Sequence, residues 1–254
     1  MVSHRQTLSP APQLMLFTEL FTESSSIAQP TIAQNAPRDR RDIFGGKRRN
    51  GMTEVGFYDI PAVAPNSSVP ERMVAFSEAV ASRRKPDPLA WVHFYEDDYR
   101  FVRFQKQPER YFERLRPFAG IIGPDCSVYR NMPRAKQIDA TYTNQQLAAQ
   151  MQAEGFNVIA NVRLNGADSI PWALAGIPDR STLAIGIHGC IRSLANRPHV
   201  VAEIKMICDN CQPSDLVVYG SDAYRVLDHP RERGIRVHVF TADTWCRSTD
   251  RRTA

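Results

Sequence analysis

The chain has 254 residues, 43% hydrophobic and 23% charged, with a formal net charge of +5 and a pI near 9.1. No apolar run approaches the roughly 18 residues of a membrane span, and five dispersed cysteines, an odd number, argue against a disulfide scaffold. What remains is a soluble globular protein of one large or two small domains, basic enough to tolerate an anionic partner without requiring one.

Residues 1–50 read as a flexible tail, punctuated by Pro30, Pro37 and the Ser24-Ser25-Ser26 run. Only residues 14–21 are apolar enough for a short helix, and Thr18 and Glu19 interrupt that run too early for a signal peptide, so a cytoplasmic location is expected. Residues 38–50 (RDRRDIFGGKRRN) form a basic cluster that could touch nucleic-acid phosphates or simply be solvated. The composition becomes domain-like just after Met52, which would suit a translation start there.

A single α/β domain is expected over residues 51–246, with a short basic tail at 247–254. Residues 56–70 should wrap the surface as an extended, proline-punctuated segment. Ser68 and Pro70 suit the start of a helix whose stripe is Met73, Val74, Phe76, Ala79 and Val80. An alternation then begins. Strands are expected at 89–95, 118–122, 156–162, 182–187, 215–219 and 235–240, and helices from Pro108, at 133–155, from Asp168 to Ala175, at 198–211 and at 223–228. The long helix at 133–155 contains a candidate break at 141–143.

Strands alternating with helices imply a parallel sheet of about six βα units, either an incomplete TIM-barrel-like arrangement or an open doubly wound sheet. Most runs are continuously apolar, as strands covered on both faces require, whereas 235–240 alternates like an edge. Nearly every strand is followed by a polar group, which favours the barrel-like arrangement, because an open sheet concentrates them at one switch point.

The carboxyl ends of these strands define one rim: Glu96, Asp97, Asp98, Asp125, Arg163, Asn165, His188, Tyr219, Ser221, Asp222 and Asp243. Asp97, Asp98, Asp125 and His188 are the candidate acid–base groups, and the carboxylates could instead hold a divalent cation. Arg163 is a candidate anion clamp, with Asn165, Tyr219 and Asp222 as binding groups. Bland readings compete: Asp125, Asp168 and Asp222 precede helices and could be plain N-caps. Cys208 and Cys211 lack the second pair of a structural zinc site and sit at a helix end, where a thiolate gains nothing. No phosphate-binding loop, dinucleotide fingerprint, GxSxG or HExxH motif occurs, and aromatics are not interleaved with basic residues.

Several clusters share a pattern: Ile60-Pro61, Asp97 to Phe101 (DDYRF), Pro124 to Tyr129 (PDCSVY) with Met132-Pro133, Gly155 with Asn161-Val162-Arg163, and Tyr219-Gly220. Through them the chain, over about residues 56–220, resembles an uncharacterised family of bacterial and phage-associated proteins known only as a domain of unknown function. Cys126 and Leu164 depart from the family's pattern, where an aromatic and a tryptophan are usual. The resemblance implies a mobile-element setting and that the tail before Met52 and the Cys208/Cys211 pair are peculiar to this chain. It supplies no activity. The leading expectation is a hydrolase or transferase acting on an anionic or phosphorylated substrate at the strand ends. The rival is a non-catalytic module that binds nucleic acid or protein.

Overall fold

The computed structural model describes residues 52–81 and 85–241. The helix expected at 14–21, the basic run at 38–50, Asp243 and the tail at 247–254 lie outside the described residues.

Seven strands form one sheet: β3 (Arg72–Ala75), β4 (Ala90–His93), β5 (Gly120–Ile122), β6 (Val158–Asn161), β7 (Thr182–Gly186), β8 (Asp215–Tyr219) and β9 (Arg236–Phe240). They lie side by side in chain order, and every neighbouring pair is parallel. A small antiparallel pair, β1 (Glu54–Val55) and β2 (Ile60–Pro61), precedes them. The connections carry α1 (Phe76–Ala79), α2 (Val102–Lys106), α3 (Phe112–Leu115), α4 (Arg134–Ala153), α5 (Ile170–Ala173), α6 (Arg197–Cys211) and α7 (Asp228–Glu232).

The sheet curls into a half-barrel, and its side chains require this. The rings of His93 and Tyr95, from β4 and just beyond it, lie 4.4 and 5.0 Å from the ring of Tyr219 at the end of β8. On a flat sheet β4 and β8 would be about 19 Å apart, at roughly 4.8 Å per strand. The concave face carries Trp91, Ile122, Ile159, Ala184 and Val217, with Met73 of β3 and Phe240 of β9 packed against the same cluster. The residues between them point outward, among them Val92, Ile121, Val158, Leu183 and Leu216, and join the larger core under the helices. Of the two architectures the sequence allowed, the curled sheet is the one observed.

The parallel sheet of about six βα units is observed: seven strands joined by six crossovers. Three expectations are corrected, the first of them at the one strand beyond the six expected. The additional one is β3, which occupies the segment read as the apolar stripe of a helix; only Phe76–Ala79 is helical there. Helix α4 runs unbroken through Thr141 and Thr143 and ends before Gly155, whose φ of 85° suits a glycine. The helix expected at 223–228 is a 3-10 turn, Ala223–Arg225, followed by α7.

Helix α6 buries Val200, Ile204, Ile207, Cys208 and Cys211, the spacing of one helical face. The two cysteines are core residues on that face. Burial pushes their thiols up, Cys208 to about 12 and Cys211 to about 11.

Two devices close the amino-terminal end of the sheet. The extended segment after β2 crosses it, and Asn66 accepts from the Thr182 N–H (2.7 Å) and donates to the Val158 carbonyl (2.8 Å). Beside it, Asp215 is 2% exposed and receives Arg236 Nε (2.8 Å) and Nη2 (2.7 Å), with His238 Nε2 at 2.9 Å. The Arg236 hydrogen bonds, more than any other cause, lower the Asp215 carboxyl to about 2. A folded-state value below the unfolded one, about 3.9, gives stability that is present above pH about 4 and lost as pH falls toward about 2. The melting temperature is therefore expected to drop across that window. Asp215→Asn should melt lower near neutral pH and show a flatter acid dependence.

Candidate active site

At the carboxyl ends of the strands lies a cavity of about 540 Å³. Its wall takes Ala75 from β3, His93 and Tyr95 from β4 and the turn after it, Asp125 after β5, Arg163 after β6, Gly186 and His188 from β7 and beyond, and Tyr219 from β8. Ser77, Glu78, Glu96, Asp97, Arg100 and Ser127 complete the mouth. Alternation along each strand explains the set. His93 and Tyr95 share the face of Trp91; Asn161 and Arg163 share that of Ile159; Gly186 and His188 share that of Ala184.

The centre is a buried ion pair. Asp125 is 4% exposed and takes two parallel bonds from Arg163, Nε to Oδ1 at 2.6 Å and Nη2 to Oδ2. Asn161 donates its amide to Asp125 Oδ1 (2.8 Å) and to the Pro124 carbonyl (3.0 Å), and its Oδ1 accepts from the Tyr95 hydroxyl (3.0 Å). Burial alone would lower the Arg163 pKa, but the adjoining Asp125 charge and hydrogen bonds hold it above the usual range. Burial, then the Asp125 charge, pushes the Tyr95 phenol well above its ordinary value, so it stays a neutral donor. Two of the five guanidinium N–H groups of Arg163 serve Asp125, which leaves three for other acceptors.

Three rings line one side of the cavity. Tyr95 stacks on Tyr219 at an interplanar angle of 16°, and His93 lies against both. Gly186 makes room for them: a Cβ there would sit 2.6 Å from the Tyr95 ring. His93 is 1% exposed, and burial depresses its pKa to about 3 despite the nearby Asp125. His188 sits exposed at the rim; partial burial first, and Arg192 second, lower its pKa below the usual 6.5. It is therefore mostly neutral near pH 7 and competent to accept a proton.

Of the residues singled out from sequence, Asp97, Asp125, Arg163, His188 and Tyr219 meet in this cavity. Three do not. Asp98 adjoins it but accepts the Ser127 N–H (3.2 Å) and hydroxyl (2.9 Å), which pins the loop after β5. Asn165 turns away at Gly166, whose φ is 80°, into a neighbouring cavity of about 350 Å³ with Arg130, Arg134 and His199. Asp222 forms a bidentate pair with Arg231 at the surface, Nη1 to Oδ1 at 3.1 Å and Nη2 to Oδ2 at 2.5 Å. None of Asp125, Asp168 and Asp222 makes a side-chain cap: Asp125 is spent on Arg163, and Asp168 faces solvent near Arg134 (3.5 Å).

Glu96 is likewise committed, accepting the Ser77 N–H (2.9 Å) and hydroxyl. Among the described residues no group of three or more His, Cys, Asp or Glu is placed to hold a metal ion. No helix among them is long and apolar enough to cross a membrane. Sequence reasoning missed His93, Tyr95 and Asn161. The signal was present as polar atoms on one parity of otherwise apolar strands.

Comparison with known proteins agrees with the pattern read from sequence. Residues 52–232 match the family model described as a domain of unknown function, DUF4417. The "Gene 1 protein" of Mycobacterium phage L5 is 30% identical over 193 residues, covering 73% of this chain and 84% of the relative. The "Gene 1 protein" of Mycobacterium phage D29 is 29% identical over 167 residues, covering 66% of this chain and 62% of that relative. No solved structure matches significantly. The matched span runs from the β1–β2 pair to the end of α7 and so contains every cavity residue, and the chain belongs to this family, a domain of unknown function with mycobacteriophage relatives.

Proposed function

We propose that the cavity is the active site of a hydrolase or transferase working by general acid–base chemistry on a small polar substrate. The observation that carries this reading is convergence: side chains from the ends of β3 to β8 line one cavity of about 540 Å³. That volume falls within the range of small-molecule sites. Asp97, at the mouth, is the proton-transfer carboxylate, and neutral His188 across the rim is the base. Arg163, fixed by Asp125, offers its remaining N–H donors to a substrate oxygen. Tyr219 positions the substrate against the aromatic wall.

Charge narrows the substrate. The lining holds Glu78, Glu96, Asp97 and Asp125 against Arg100 and Arg163. Four carboxylates against two guanidinium groups disfavour a multiply charged phosphate and suit an uncharged polar substrate, or one with a single anionic group near Arg163.

The test is turnover of uncharged chromogenic glycosides, esters and amides beside chromogenic phosphate esters. Asp97→Asn, with an unchanged melting temperature, should cut the rate about a hundredfold. Full activity in Asp97→Asn, or turnover confined to the phosphate esters, would contradict the assignment.

One observation supports a second reading, a module that binds single-stranded nucleic acid. Tyr99, Tyr129 and Tyr224 are 69%, 60% and 59% exposed in loops that follow β4, β5 and β8. Arg100 lies 5.6 Å from the Tyr99 ring centroid and Arg197 lies 3.4 Å from that of Tyr224. Exposed rings beside arginines can stack bases in a way that no linear motif reveals. Oligonucleotide binding that weakens steeply with salt and is lost in Tyr99→Ala and Tyr129→Ala would favour it.

A further inference from the structure

The cavity's most deeply buried titratable group has no part in the chemistry assigned above. His93 Nδ1 accepts the backbone N–H of Tyr95 at 3.2 Å and so carries no proton. A neutral imidazole in that arrangement holds its proton on Nε2. That Nε2 is buried and has no hydrogen-bond partner among the described residues. Buried polar groups are nearly always paired, so an orphaned donor in the wall of a cavity calls for an explanation.

We infer that His93 Nε2–H is a fixed hydrogen-bond donor for the ligand, aimed at the oxygen of an uncharged carbonyl group. The inference rests on the active-site reading and adds a specificity residue and a ligand class to it. Three features support it. The imidazole borders the cavity on the same strand face as Tyr95, and the Tyr95 contact fixes both its ring orientation and its tautomer. A neutral imidazole polarises a carbonyl without placing a second cation beside Arg163, a use of histidine known from other enzymes. An anion would face the carboxylates of Glu78, Glu96 and Asp97 at the mouth before reaching it. The Tyr219 ring, centred 4.4 Å from the imidazole, is the nearer of its two aromatic neighbours. Because Nε2 is itself buried, a ligand oxygen reaches it only when a covering side chain moves.

The experiment titrates the full chain by NMR with uracil, 2-pyrrolidone and inorganic phosphate, in wild type, His93→Phe and His93→Gln. Phenylalanine keeps the ring and removes the donor; glutamine restores an N–H. A carbonyl probe should move the Asp97 amide resonance, bind about tenfold more weakly to His93→Phe, and recover most of that loss in His93→Gln. Should His93→Phe not fold, the wild-type His93 Nε2–H proton decides, because it must shift downfield on addition of a carbonyl probe. Unchanged affinity in His93→Phe, an unmoved Nε2–H proton, or tighter binding of phosphate overturns the inference. Binding that moves Asp97 but ignores His93 removes only the His93 role. Absence of probe binding anywhere in the cavity removes the active-site reading with it.

Discussion

Asp125→Ala is expected to lower the stability of the protein by about 3 kcal/mol, the lower end of the cost of breaking a buried ion pair. The reason lies in what remains. Arg163, with 28% of its side chain exposed, would keep its charge mostly buried and without its counter-ion, and Asn161 would lose an acceptor. Partial exposure of Arg163 keeps the figure from the upper end. Arg163→Met should cost as much or more, because it strands a carboxylate that is only 4% exposed, with the Asn161 amide as its remaining donor. The double variant Asp125→Ala/Arg163→Met should lose less than the two losses added, with a coupling of about 2 kcal/mol. Urea unfolding gives each number as a shift in midpoint at constant slope. Additive losses would mean that the pair is not a unit.

Gly120→Ala is the second large effect. A Cβ at residue 120 would lie 2.5 Å from the Trp91 ring and 2.7 Å from the Asn157 carbonyl oxygen. Neither neighbour can yield. Trp91 is 3% exposed at the centre of the concave cluster, and the Asn157 carbonyl accepts the Ile121 N–H at 2.8 Å. Overpacking costs about 1 to 3 kcal/mol, and a backbone clash on one side places this site at the top of that range. Gly120→Ala combined with Trp91→Leu should recover part of the loss by making room on the ring side. No recovery would assign the cost to the Asn157 carbonyl alone, and a neutral Gly120→Ala would contradict the packing described.

How much of this could be read from sequence depended on the period of each segment. Six of the seven parallel strands were legible, five as apolar runs bounded by turn residues and β9 by its alternation. β3 was not, because Arg72–Ala75 runs directly into the helix Phe76–Ala79. Its inward and outward residues, continued by Phe76 and Ala79, imitate a helical stripe. At the site, Asp97, Asp125, Arg163 and His188 were legible as polar groups just past strand ends. His93 and Asn161 were hidden inside the strands, where a continuous apolar run draws attention from parity. Read at period two, LAWVHFY places Trp91, His93 and Tyr95 on one face, and FNVIANV does the same for Ile159 and Asn161. Asn165 and Asp222 lie outside the cavity for another reason. Position after a strand does not fix loop direction, and Gly166 and the Arg231 partner carried those two side chains elsewhere.

The account depends on curvature, because only a curled sheet brings β4 and β8 together at one mouth. A double-mutant cycle between Tyr95→Leu and Tyr219→Leu measures this directly. The stacked rings, 5.0 Å apart, should give a coupling of about 0.5 to 1.5 kcal/mol in unfolding free energy. Additivity within a few tenths of a kcal/mol, as expected of strands about 19 Å apart on a flat sheet, would contradict the shared cavity and the chemistry assigned to it.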